Sequence, residues 1–206
     1  NDSFKPVTKY FDRITRPEQI IQSLPQAIQT MLDPADTGPA CLSLCQDVQG
    51  EIFDYSEEFF KERIHNIRRP KPDDFQIKEA AKLIKKSKKP IIIAGGGVFY
   101  SDATDELSDF AKKHNIPVTQ TVMGYSSIKK DHTHYLGTIG GLGGRAANNL
   151  SKETDTAIAI GTKLADFTTG SWANFENPNF KLVSINAARF DANKHMAQAI
   201  VGDAKV

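Results

Sequence analysis

Four clusters hold the residues of this chain whose types and spacing could bind a ligand. They are Gly95-Gly96-Gly97, the run 137–144 with Gly140, Gly141, Gly143 and Gly144, then Gly161-Thr162-Lys163, and Asn186-Ala187-Ala188-Arg189. Glycine admits a bound group close to the main chain, and amides at a helix N-terminus attract an anion. Lys163 would add a cation and Asn186 both a donor and an acceptor. Gly95, Gly96, Gly97, Gly140, Gly141, Lys163 and Asn186 are therefore the candidate cofactor-binding residues, arranged as a nucleotide-like pocket. Any one cluster alone is ordinary turn geometry; four at equivalent places in the topology make a crevice. None is a dinucleotide fingerprint, because G-x-G-x-x-G is absent and Gly140-x-x-Gly143 alone falls short of it.

Catalytic chemistry is not legible in the same way. There is no G-x-S-x-G elbow and no convincing carboxylate pair, so no catalytic residue is assigned. His132 and His134 could share one face of a strand, but no third ligand stands at matching geometry, and they read as exposed or hydrogen-bonded loop residues. No metal ligand is assigned. Trp172 reads as a packing anchor. Cys41 and Cys45, placed on one strand, would lie about 13 Å apart. A disulfide needs Cα atoms within about 7 Å, so both are expected as free thiols of a reducing, cytoplasmic setting.

The elements that must position the clusters follow from periodicity. Ile77, Ala80, Ala81 and Ile84 define a helix face, with Asp73 and Asp74 at its start and Lys85 and Lys86 at its end, as the helix dipole favours. Strands are expected over residues 91–94, 116–121, 156–160, 181–185 and 199–201. Helices are expected around Leu107, Phe110 and Ala111 and over residues 143–150. Alternating strands and helices imply a doubly wound parallel α/β sheet, Rossmann-like, with ligands at the carboxyl ends of strands. Upstream, Thr15 and Glu18 form a capping-box pattern ahead of a helix carrying Ile21, Leu24, Ile28, Met31 and Leu32, with Pro25 kinking it or delaying its start. Residues 40–44 read as a strand. Residues 1–54 form the remnant of one α/β domain, and 55–74 a linker in which Phe59, Phe60 and Ile64 pin the chain to a neighbouring surface. Residues 75–206 form a second α/β domain, with Asp203 placed to cap one more helix. Both ends look cut.

With 26 basic and 25 acidic residues the chain is nearly neutral, which removes the electrostatic footprint of a nucleic-acid partner. No apolar run approaches the roughly 20 residues of a membrane span, so no membrane partner is expected.

The order of these pieces resembles the thiamine-diphosphate enzymes of the acetolactate synthase and pyruvate oxidase superfamily. Ile14-Thr15-Arg16-Pro17, Gly38-Pro39 and Gln46-Asp47-Val48-Gln49 resemble the close of the family's pyrimidine-binding domain. Lys88-Lys89-Pro90 through Gly97, Ile116-Pro117-Val118, Thr121-Val122-Met123-Gly124, the run 137–148 and the run 155–161 resemble its central domain. Phe53-Asp54-Tyr55, Glu57-Glu58-Phe59-Phe60 and the run 184–192 are most similar to a branch that hydrolyses a cyclic 1,2-diketone in myo-inositol breakdown.

The resemblance implies a parent enzyme using thiamine diphosphate and Mg²⁺, a small cyclic diketone substrate, and a homo-dimer or tetramer. It also implies that an activating glutamate and a G-D-G…N motif lie outside this chain, leaving the chain itself without activity. FAD is disfavoured, because Asn186 and Ala188 stand where flavin-binding relatives carry aspartates, and Lys163 where they carry Arg. Two alternatives are an adenine-nucleotide-binding regulatory module and an acetolactate synthase-type carboligase.

Overall fold

The computed structural model describes residues 1–206, which form two compact units, Asn1–Arg68 and Arg69–Val206. The division falls inside the polar stretch 55–74.

The smaller unit is a β-α-β element. Strands β1 (Tyr10–Ile14) and β2 (Ala40–Leu44) pair in parallel, from Tyr10 opposite Ala40 to Ile14 opposite Leu44, and helix α1 (Ile20–Leu32) joins them. Strand β1 is missed by pattern reading because Asp12 and Arg13 interrupt its apolar run. Both are satisfied locally: Asp12 accepts from the buried Ser23 hydroxyl on α1, and Arg13 Nε–H donates to Cys45 Sγ at 3.2 Å. The expected capping box is also corrected. Gln19, not Glu18, reaches back, its Oε1 accepting from Thr15 N at 2.7 Å, Thr15 Oγ1 at 2.9 Å and Arg16 N at 3.0 Å. A 3₁₀ turn, Pro17–Gln19, therefore precedes α1. Pro25 lies within the helix without ending it, since in its second turn it forfeits only one bond, to the Ile21 carbonyl. Phe60 and Ile64 are 69% and 85% exposed, so they do not pin the stretch to a surface. Tyr55 does the holding, stacked on Phe59 at 5.5 Å with its hydroxyl donating to the Pro17 carbonyl at 3.1 Å. Cys41 and Cys45 are free.

The larger unit is a six-stranded parallel sheet in the order β5-β4-β3-β6-β7-β8. Its strands are β3 (Pro90–Ala94), β4 (Val118–Gln120), β5 (Tyr135–Thr138), β6 (Thr156–Ile160), β7 (Lys181–Asn186) and β8 (Gln198–Val201). The helices are α2 (Asp74–Lys86), α3 (Gly96–Tyr100), α4 (Thr104–His114), α5 (Arg145–Glu153), α6 (Asp166–Thr169) and α7 (Arg189–Ala192). Helix α2 starts as the charge pattern requires: the Asp73 carboxylate accepts from Phe75 N at 2.7 Å, and Lys85 and Lys86 close the last turn.

Strand β3 organises two cores. Ile91, Ile92, Ile93 and Ala94 are all fully buried. Ile92 and Ala94 join Ala80, Val98, Leu107 and Ala111 on one face; Ile91 and Ile93 join Ile139, Ala147 and Leu182 on the other. Each fully buried isoleucine contributes about 1.5–3 kcal/mol. Edge strand β5 is absent from the periodicity because it is short and holds Gly137 at φ +95°. His132 and His134 precede it in a turn, where His132 Nε2 lies 3.2 Å from the Ser108 carbonyl and His134 Nε2 2.8 Å from Asn115 Oδ1. Trp172 packs against Phe175 at 5.5 Å and His195 at 4.6 Å.

Two polar clusters tie the larger unit together. The buried Asp203 carboxylate accepts from Arg69 Nη1 at 3.3 Å and from Ser101 Oγ at 2.8 Å, while Asp203 N donates to the Pro70 carbonyl at 2.8 Å. The unit's first residues are thereby fastened to its last strand. Breaking a buried pair strands a charge, so Arg69→Ala is expected to lower the stability of this unit by about 2 kcal/mol in urea unfolding.

At the amino end of the inner strand β6, Asp155 accepts from Ser87 Oγ and from Lys88 N at 2.8 Å. Burial raises its carboxyl, but these hydrogen bonds outweigh burial and hold it below the ordinary value. A carboxylate depressed by folding stabilises above its unfolded value of about 4, and that stability is lost as pH falls through the lower folded value. Asp155→Asn should be less stable at pH 7 and show a flatter loss of stability below about pH 4, measured by urea midpoints across pH.

Candidate functional site

The structure places all four clusters at the carboxyl edge of the six-stranded sheet, after β3, β5, β6 and β7. It packs the clusters after β3 and β6 on one another through backbone. A Cβ on Gly95 would stand 2.3 Å from the Gly161 carbonyl oxygen, and one on Gly97 2.6 Å from Gly161 Cα. Gly161 itself has φ +60°, a left-handed turn where the chain leaves β6 beside β3. Gly124, after β4, closes the other side: a Cβ there would meet the Ala94 oxygen at 2.2 Å. Further along, Gly140 (φ +101°) lies under the Phe167 carbonyl, where a Cβ would come within 2.1 Å. The clusters after β3 and β6 thus form one glycine seam, and the cluster after β5 joins α6.

The hydrogen bonds of the seam are spent on protein. Gly95 N donates to the Ile160 carbonyl at 2.8 Å, Gly97 N to Gly161 O at 2.9 Å and Gly161 N to Ile185 O at 2.8 Å. In the second cluster Gly141 N donates to Phe167 O at 2.7 Å and Gly144 N to Thr138 O at 2.8 Å. Asn148 brackets Gly140, its Oδ1 accepting from Gly140 N at 2.9 Å and its Nδ2 donating to Gly140 O at 3.0 Å. Asn148 carries no signal in the sequence, since one of two adjacent asparagines in a polar helix does not reveal the loop it will meet.

Asn186 is used likewise. Its Nδ2 donates to the Thr162 carbonyl at 3.2 Å, and its Oδ1 accepts from Ala188 N at 2.9 Å in a local turn. Lys163 is exposed on the loop after β6. Gly95, Gly97 and Asn186 therefore meet around Gly161 and Thr162, Gly96 faces the Met123 carbonyl, Gly140 and Gly141 lie against Phe167, and Lys163 points to solvent beside the seam. The one buried side-chain atom without a partner is Gln120 Oε1, at the carboxyl end of β4. Sequence gave no hint of it beyond a polar residue in a buried strand.

Thiamine diphosphate with a divalent cation would need carboxylate or carbonyl ligands and free amides. No group of three or more His, Cys, Asp or Glu residues is placed to hold a metal ion. With no such carboxylate group at the seam, and with the amides of Gly95, Gly97 and Gly161 already paired, this chain's residues do not fit that cofactor. No helix is long and apolar enough to cross a membrane.

Comparison with known proteins bears on the same unit. Residues 77–206 match the family model for the thiamine pyrophosphate enzyme central domain. A 3D-(3,5/4)-trihydroxycyclohexane-1,2-dione hydrolase of Clostridium perfringens strain 13 is 48% identical over 206 residues, covering 100% of this chain and 32% of the relative. Hydrolases of the same name from Clostridium botulinum strain Alaska E43 and Bacillus licheniformis are 49% and 46% identical, again over 100% of the chain and 32% of their own length. The chain thus spans about a third of these curated relatives. A crystallised protein of Mycobacterium smegmatis assigned to the thiamin diphosphate-dependent enzymes superposes with a TM-score of 0.73 at 21% identity, over 98% of this chain and 38% of its own. At that identity it speaks for the fold alone.

The seam makes a direct prediction. Gly95→Ala and Gly140→Ala force a Cβ into backbone and should cost more than about 2 kcal/mol each in urea unfolding. Gly144→Ala, with nothing within 4 Å of its Cβ, should cost under about 1 kcal/mol.

Proposed function

The chain belongs to the thiamine pyrophosphate enzyme family, with its residues 77–206 as the central domain, and from that premise we propose the reaction it serves. The intact polypeptide is a thiamine-diphosphate-dependent hydrolase that opens a cyclic 1,2-diketone, 3D-trihydroxycyclohexane-1,2-dione, to 5-deoxy-glucuronate by adding water across a carbon–carbon bond. The observation that carries this reading is identity of 46–49% with curated hydrolases of that substrate along the whole chain, through both units.

Thiamine diphosphate supplies the electron sink that such a cleavage needs. In this reading its ligands, those of Mg²⁺ and the activating glutamate all come from the rest of the polypeptide, working as a cytoplasmic homo-dimer or tetramer. The residues of this chain orient rather than react. The two-sided burial of β3 and the hydrogen bonds of the seam hold the carboxyl edge of the sheet rigid. The engagement of Asn186 with Thr162 and Ala188 supports a seam that holds no flavin.

Two preparations test the proposal. The full-length polypeptide, supplied with thiamine diphosphate and Mg²⁺, is expected to open the dione, and the 206-residue chain under the same conditions to do nothing above the uncatalysed rate. No turnover by the full-length protein would overturn the substrate assignment. Turnover by the shorter chain would overturn its assignment as scaffold.

A further inference from the structure

The loop between β5 and α5 holds a clamp that closing its turn does not need. Gly143 N donates to the Gly140 carbonyl at 2.8 Å and Gly144 N to the Thr138 carbonyl at 2.8 Å, so backbone alone closes the turn. Asn148, half-buried on α5, adds two bonds to the same glycine. Its Oδ1 accepts from Gly140 N at 2.9 Å and its Nδ2 donates to Gly140 O at 3.0 Å. An N–H only donates and a carbonyl only accepts, so the side-chain amide is fixed in one orientation. The buried Asn174 holds it there, with Nδ2 donating to Asn148 Oδ1 at 3.4 Å.

Gly140 is the joint such a clamp must control. It sits at φ +101°, in a region open to glycine, with no side chain of its own to restrain it. Both peptide groups flanking its Cα are bonded to Asn148, which sets the direction in which the loop leaves it. What the loop then presents is apolar and bare. Leu142 at its tip and Phe167, whose ring lies beside Gly141, are 71% and 73% exposed. They stand at the carboxyl edge, where open parallel sheets take their ligands.

We infer that Asn148 is a positioning residue for the ring opening, holding Leu142 and Phe167 as a fixed apolar rim beside the substrate. This role presupposes the reaction proposed above, which takes up one water across a carbon–carbon bond. Its site must admit that water and shut out the rest, and an apolar rim does so only while it keeps its place. Asn148 itself acts only through Gly140.

Steady-state kinetics of the full-length protein test the role, with urea unfolding alongside. Asn148→Asp keeps the shape and the acceptor but sets a carboxylate oxygen, in place of the donor, against the Gly140 carbonyl. It is expected to lower kcat for the dione about tenfold or more while KM stays within about twofold, because a displaced rim is felt when the bond breaks rather than when the ring binds. Leu142→Ala removes an exposed side chain, so it reads the rim even where Asn148→Asp fails to fold. It is expected to lower kcat about threefold or more with its urea midpoint unchanged. Asn149→Ala, the exposed neighbour, is expected to change neither constant. An Asn148 that only supports the fold would lower the urea midpoint and leave kcat and KM as they were in both variants; that result, or an equal loss in Asn149→Ala, would overturn the role and leave the reaction standing. A full-length protein that leaves the dione untouched would overturn the reaction and this role together.

Discussion

The larger unit depends on a strand that water reaches from neither side. Ile91, Ile92, Ile93 and Ala94 are fully buried, and alternation along β3 sends Ile92 and Ala94 into one core and Ile91 and Ile93 into the other. A strand so enclosed can be entered and left only at its ends, and its neighbours must cross its carboxyl end closely. Hence the glycines there. With no Cβ at positions 95, 97, 124 and 161, the backbones leaving β3, β4 and β6 approach within distances that any side chain would forbid.

That constraint changes what the glycines mean. A glycine-rich turn after a buried strand offers amides to a phosphate only when those amides face an open crevice. Here Gly95, Gly97 and Gly161 donate to carbonyls of neighbouring strands and loops, and Asn186 completes the same web. The seam behaves as a joint. Rigidity at that edge is what an enzyme built from several domains requires of its middle one, because a catalytic group held elsewhere is only as well placed as the scaffold behind it.

Much of the fold was legible in residue pattern. The β-branched run before Gly95 announced β3, the spacing of Ile77, Ala80, Ala81 and Ile84 announced α2, and Asp73 with Lys85 and Lys86 marked its ends, because burial periodicity and helix-end electrostatics are local effects. Strands β1 and β5 were not legible. Asp12 and Arg13 look unfit for a strand until Ser23 and Cys45 are brought to them, and Tyr135–Thr138 is a strand only because β4 lies alongside. Gln19 displacing Glu18 at the α1 entry belongs with these, since which side chain reaches back depends on the 3₁₀ turn and not on spacing alone.

By itself, then, the sequence determined the parallel α/β class and the positions along the chain where chemistry could lie, since these follow from the order of hydrophobic runs, glycines and caps; the family came through the resemblance of its motifs to known enzymes. Only the tertiary structure decided how those positions are used. Whether an amide is free or paired, and whether Lys163 meets an anion or solvent, depend on atoms distant in the chain. Only packing brings such atoms within a few ångströms of one another, and hydrogen bonds and van der Waals contacts act over no greater range.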